Sequence, residues 1–157
     1  TSGTTSTRPG DVTISSTSGL SGRMTVVADR MIMIGSSLTY RNDPATVPSS
    51  TDALGLIAKG DVSVQNTAPY NEDIYAHIIS QSGGFGYEDY DSGSPRGTLT
   101  VYGGIVNYQR NPVGQFSGST MTHGYRKNYI YDTRFAKNPP PNYPVVTDEL
   151  EWTGWQG

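Results

Sequence analysis

The sequence predicts an all-β protein built as a right-handed parallel β-helix, a solenoid with side loops, and three observations carry that prediction. One short phrase recurs. "GDVTI" (10–14) returns almost unchanged as "GDVSV" inside "GLIAKGDVSV" (55–64). "VVADRMIMI" (26–34) repeats its skeleton: a branched apolar residue, Ala, three variable positions, then two apolar residues flanking one other. The second observation is composition. Of 157 residues only 34% are hydrophobic and 16% charged, while Gly (19), Pro (10) and Tyr (11) are abundant. That mix favours short strands joined by turns over long helices. The third is periodicity, because no segment sustains a helical pattern and residues 54–59 would form one turn at most. A single coil cannot bury its own inward face, so recurring strands of this kind are expected to stack. A β-sandwich with coincidentally similar strands is the alternative.

Taken in order, residues 1–10 ("TSGTTSTRPG") lack an apolar anchor and read as an N-terminal arm, flexible or strand-exchanging, at the start of a processed chain. Residues 11–157 read as one solenoid domain. Val12 and Ile14 alternate with Asp11, Thr13 and Ser15, which is strand periodicity. Met24, Val26 and Ala28 continue the pattern, followed by Ile32 and Ile34, then Leu38 and Tyr40. "RNDPATVPSST" (41–51) and "QNTAPYNED" (65–73) are side loops. Between them Ala58 is small, Gly60 permits a positive φ, and Val62 and Val64 share a face. "IYAHIIS" (74–80) is a strand on which His77 is exposed or hydrogen-bonded. "GGFG" (83–86), with no P-loop lysine or following helix, is expected to turn tightly and present Phe85. "GTLTVYGGIVNYQ" (97–109) reads as a strand pair bent at Gly103 and Gly104, its "TVYGGIV" loosely echoing "TVVADRMI" (25–32). The Pro/aromatic-rich end, with "NPPPNYP" (138–144), is expected to cap the open end of the core, since proline denies ladder hydrogen bonds.

Several function classes are disfavoured. The net charge is −3 with a pI near 5.2, so no basic stripe is available for nucleic acid. The absence of cysteine excludes a disulfide scaffold, a thiolate zinc site and a cysteine nucleophile. No apolar run approaches the roughly 18 residues that would predict a membrane span. Glu88, Asp89 and Asp91 in "YEDYDSGS" form a Ca²⁺ candidate, the one cofactor suggested, because hard cations take oxygen ligands. Their spacing is not that of an EF-hand, and a turn satisfying local backbone donors is the competing reading. Glu72, Asp73, Glu88, Asp89, Asp91 and Arg96 could be assembled into a polysaccharide-active site, but no spacing places two of them on neighbouring coils. Neither His77 nor His123 lies in a nucleophile-elbow sequence. No catalytic residues are assigned, and a non-enzyme is expected.

The runs "LSGRMTVVADRMIMIGSSLTY" (20–40), "DPATVPSSTDALGLIAKGDVSV" (43–64), "GFGYEDYDSGSPRGTLTVYGGIVNYQRNPVGQFS" (84–117), "GYRKNYIYDTRF" (124–135), "PPPNYP" (139–144) and "LEWTGW" (150–155) resemble bacterial surface proteins of the pilus-assembly type, PilX-like, carrying a domain of unknown function. The resemblance implies a right-handed β-helix-like fold outside the cell and supplies no active-site residues. Family members often carry an N-terminal pilin-like hydrophobic helix, of which these residues show no sign. The expected function is therefore a non-catalytic, extracellular or cell-surface structural subunit. It would assemble into a fibre of identical copies or sit on a pilus, with other pilus components or surface glycans as further partners. Expected interface residues are Thr1, Ser2, Thr4 and Thr5, which could add a strand to a neighbour, and Tyr125, Tyr129, Tyr131, Trp152 and Trp155, aromatics suited to subunit or sugar contacts. An adhesin or carbohydrate-binding module is the alternative, and a polysaccharide-active enzyme the third reading.

Overall fold

The computed structural model describes residues 8–144. It forms a β-solenoid of about four turns, with no α-helix among the described residues. Ten strands form two sheets, the first eight alternating between them and the last two joining the larger: β1 (Val12–Ile14), β2 (Arg23–Ala28), β3 (Ile32–Ile34), β4 (Ala53–Ala58), β5 (Val62–Val64), β6 (Glu72–Ser80), β7 (Phe85–Tyr87), β8 (Pro95–Asn107), β9 (Gly114–Ser117) and β10 (Thr120–Tyr131). One sheet runs β1-β3-β5-β7 and the other β2-β4-β6-β8-β10-β9. Every pairing is parallel except the β9–β10 hairpin. Isolated parallel bridges, Leu20 to Tyr40 and Leu38 to Ile74, mark a short third side between the sheets.

The recurring phrases are successive coils in register. Val12 pairs with Ile32, Ile32 with Val62, and Val62 with Phe85. The steps of 20, 30 and 23 residues between those partners differ because the side loops differ in length, while the strands themselves stay matched. Val26, Leu56, Ile78 and Ile105 make a second inward column on the other sheet. Ile32, Ile34, Leu56, Val62, Val64, Ile74 and Ile78 are fully enclosed, each worth about 1.5–3 kcal/mol relative to exposure. At the corners, backbone groups continue the ladder from coil to coil. Arg30 N–H donates to the Gly10 carbonyl, Lys59 to Ala28, Gln81 to Ala58 and Tyr108 to Ser80. Arg30 also grips Asp11 through two parallel contacts, Nε to Oδ1 at 2.7 Å and Nη2 to Oδ2 at 2.8 Å.

Five local expectations are corrected. Residues 54–59 make strand and not a helical turn, since Leu54, Leu56 and Ala58 fill the interior. Gly60 does not take a positive φ; it is glycine because a Cβ would sit 2.8 Å from the Arg30 carbonyl oxygen. Residues 97–107 of the expected strand pair lie on one continuous strand, β8, with no break at Gly103 or Gly104. Its "TVYGGIV" does not stack in the register of the echo, because Ile105, not Val101, continues the Val26 column. Phe85 is not presented to solvent but buried, directly above Val62.

A sixth correction concerns the Pro/aromatic segment. It does not cap the end of the core but runs along the outside of the larger sheet, lengthwise over the coils. Its root is a single 3₁₀ turn (Thr133–Ala136), N-capped by Asp132, whose side chain accepts from Arg134 N–H. From there Arg134 donates to the Ser50 carbonyl and Asn138 to Thr51. The Pro139 and Pro141 carbonyls accept from Arg23 and from Thr25 on β2. Tyr143 lies over Gly55 of β4, close enough that a Cβ there would meet its ring at 2.6 Å. This strap explains why all six residues of β4 are buried, outward ones included.

Candidate functional site

The residues expected to carry chemistry are scattered by the fold. Glu72 points inward on β6 and is fully enclosed, with Oε1 unpartnered and the other oxygen accepting from Ser37 at 3.2 Å. Burial, reinforced by the neighbouring Asp73 charge, pushes its carboxyl up to about 7, against the Ser37 bond and the Arg96 charge. Asp73, next in the strand, points the other way. Arg96 is committed to the carbonyls of Ala68, Pro69 and Asn66 and to the Tyr125 hydroxyl. Its guanidinium lies 5.3 Å from the Tyr87 ring centroid and 5.4 Å from that of Tyr125. In the acidic turn, Glu88 accepts from Asn66 N–H and the Asp89 carbonyl from Ser92 N–H, which is the backbone-satisfying role. Among the described residues no group of three His, Asp or Glu side chains gathers as metal ligands, so the Glu88, Asp89 and Asp91 trio is not brought together.

His77 is not a surface strand residue. It is buried, its ring 4.2 Å from Phe135 and its Nε2 3.8 Å from Asp132 Oδ2. Asp132 accepts from Arg134 Nη2 at 2.7 Å and Nε at 3.0 Å. Burial would raise the Asp132 carboxyl, but the His77 and Arg134 contacts outweigh it and hold it well below the usual carboxylate range. With Tyr40 and Tyr102 flanking Arg134, this cluster pins the strap and presents no nucleophile.

The predicted interface aromatics divide. Tyr125 is corrected from surface to core: it is fully buried, edge-on to Tyr87 at 4.9 Å, and its hydroxyl donates to the Pro69 carbonyl. Desolvation pushes that hydroxyl up to about 12, against the Arg96 charge. Tyr129 and Tyr131 are exposed on β10 beside Ile130. Thr1, Ser2, Thr4, Thr5, Trp152 and Trp155 lie outside the described residues, as does most of the proposed arm.

What the structure does offer is a coil left open at both ends. β1 and β2 are the outermost strands of their sheets. No described residue covers their free edges. Val12, Ile14, Leu20 and Val26 are only partly buried and Met24 is 42% exposed. Beside them lies a cleft of about 160 Å³ lined by Ile14, Leu20, Met24, Leu38 and Leu54 among others. At the far end, pairing of β10 with β8 stops at Tyr131 and Gly103, so residues 104–107 of β8 are unpaired on that side among the described residues. A second feature flanks the loop after β7. There Tyr70, 65% exposed, shares a cleft of about 420 Å³ with Tyr87, Asp89, Ser92, Ser94 and Arg96. Sequence reasoning missed the open face of the first described coil, where Val12, Ile14 and Met24 are left partly or largely exposed among the described residues. No helix of the described residues is long and apolar enough to cross a membrane. Comparisons with protein families, curated proteins and solved structures find no match to this chain.

Proposed function

We propose that this chain is a non-catalytic structural subunit, working outside the cell, that adds end to end into a fibre or onto a pilus. The observation that carries the reading is the pair of unfinished coil ends. Among the described residues β2 offers an unpaired edge at the start, and the tail of β8 that β10 does not cover, residues 104–107, offers one at the finish. Both belong to parallel ladders, so one copy laid on the next would continue the sheet in the same sense. Such a head-to-tail contact does not close on itself and generates a filament. Exposed edges of this kind are templates for strand addition. Covering half-exposed Met24, Val26 and Leu20 would add apolar burial at each junction, about 0.8 kcal/mol for every CH₂ removed from water. The PilX-like resemblance supports the extracellular placement.

The test is sedimentation velocity and negative-stain microscopy of the full chain against Met24→Lys and Val26→Lys. Concentration-dependent oligomers or filaments are expected for the parent and their loss in both variants. A parent that stays monomeric at every concentration would sink the reading. Removing residues 1–7 separates the arm from the coil edge, because assembly through the edge survives that deletion. A second reading, a glycan-binding module, is favoured by the Tyr70 cleft, where an exposed ring stands beside hydroxyls and a carboxylate. It predicts saturable quenching of tyrosine fluorescence by a neutral glycan, abolished in Tyr70→Ala.

A further inference from the structure

We propose that the far end of the solenoid carries a binding site for the carboxylate of an acidic sugar unit. The site is set by register. Leu99 and Val101 of β8 face the interior and are buried, and their partners one coil further out are Lys127 and Tyr129 of β10. A lysine thus occupies the interior column of the last coil, where the coils below place Leu99 and Glu72. Arg110 approaches from the corner that follows β8, and both cations line one cleft of about 370 Å³. Phe85, Ile105 and Tyr129 form its apolar side, with the Phe85 and Tyr129 ring centroids 6.4 Å apart. Asn107 and Asn111 supply amides at the rim.

Among the described residues no acid compensates the charges in this cleft. Neither Arg110 nor Lys127 has a hydrogen bond or ion pair to an acid among the described residues. The carboxylate bonded to a lining residue, Asp61, accepts from Asn111 Nδ2 at 2.9 Å and from Gly84 N–H, and faces the neighbouring cleft with Met31 and Tyr90. Two like charges converging without an acid are unfavourable unless an anion completes the site. Partial desolvation, then the Arg110 charge, hold the Lys127 ammonium below its ordinary value. The geometry suits a sugar acid better than a bare ion. A guanidinium fork and an ammonium take the carboxylate, the aromatic and Ile105 side takes the ring's C–H face, and the Asn107 amide takes a hydroxyl. The inference concerns the isolated subunit and rests on neither reading of the preceding section.

Isothermal titration calorimetry of the full chain with trigalacturonate, the neutral galactose trisaccharide and inorganic sulfate tests it. Saturable, salt-sensitive binding of trigalacturonate is expected, with the neutral trisaccharide and sulfate at least tenfold weaker. Arg110→Gln and Lys127→Gln are each expected to weaken trigalacturonate about tenfold or more, since a hydrogen bond to a charged group is worth about 1.5–3 kcal/mol. Both side chains are exposed, so unchanged thermal melting will show that the variants are folded. Three results would overturn the proposal: no binding of trigalacturonate, equal affinity for sulfate, or unchanged affinity in the Arg110→Gln, Lys127→Gln double variant.

Discussion

Glu72 is the residue whose environment is least expected from its type. An acid in the interior column of a solenoid is disfavoured when charged, and here one oxygen has no partner at all. Its folded pKa, about 7, lies above the ordinary 4.5. The folded state therefore holds the proton more tightly than the unfolded chain. Its contribution to stability is fully present below the unfolded value and is lost as pH rises through about 7. Urea unfolding at pH 5 and pH 8 is expected to show the parent losing stability on the order of 2 kcal/mol through this group. Glu72→Gln is expected to flatten that dependence and to be the more stable form at pH 8. Equal pH dependence in parent and variant would remove Glu72 from the account. Asp132 has the opposite sign: its depressed pKa contributes stability above the unfolded value and loses it as pH falls. Sequence alone distinguished neither acid. Glu72 stands in a run read as loop, and the Arg134 that holds Asp132 works only because the chain turns there.

Among the elements, the strands were legible and the strap was not. Val12, Ile32 and Val62 announce themselves through a two-residue period and a repeated phrase, which encode burial locally. The strap has no period. Its anchorage depends on residues about a hundred positions away, such as Thr25 on Pro141 and Gly55 under Tyr143. The small size of Gly55 makes room for that ring, so Gly55→Ala is expected to cost about 1–3 kcal/mol by overpacking. The variant should also expose Tyr143 to solvent, read as a rise in solvent accessibility of tyrosine. Tyr143→Ala in the same background should recover part of the loss; strict additivity of the two changes would show that they do not meet. The hairpin of β9 and β10 was likewise hidden. It turns at Gly118, φ 62°, and its second strand bends at Gly124, φ 67°, where any Cβ would strike the Val113 carbonyl oxygen.

At the scale of the whole molecule, a solenoid is a one-dimensional stack whose coils depend on their neighbours. Among the described residues the first coil has a neighbour on one side only, and its core residues are partly buried. Native-state hydrogen exchange is therefore expected to be fastest in β1 and β2 and slowest in β4 and β6, where both neighbours and the strap are present. Uniform protection along the stack would show a single cooperative unit. Addition of a second copy, if the assembly reading holds, should slow exchange in β1 and β2 selectively.

The sequence by itself determined the fold class, the stacking register of Val12, Ile32 and Val62, and the side loops between coils, because alternation and repetition are written into adjacent residues. Only the tertiary structure decided that Tyr125 is core, that His77 is enclosed, that the proline segment lies along the side, and that Lys127 meets Arg110 at the far end. Those outcomes depend on which coil happens to face which. Contacts between residues separated by many positions are set by the sum of loop lengths and packing, and no short stretch of residues contains that sum.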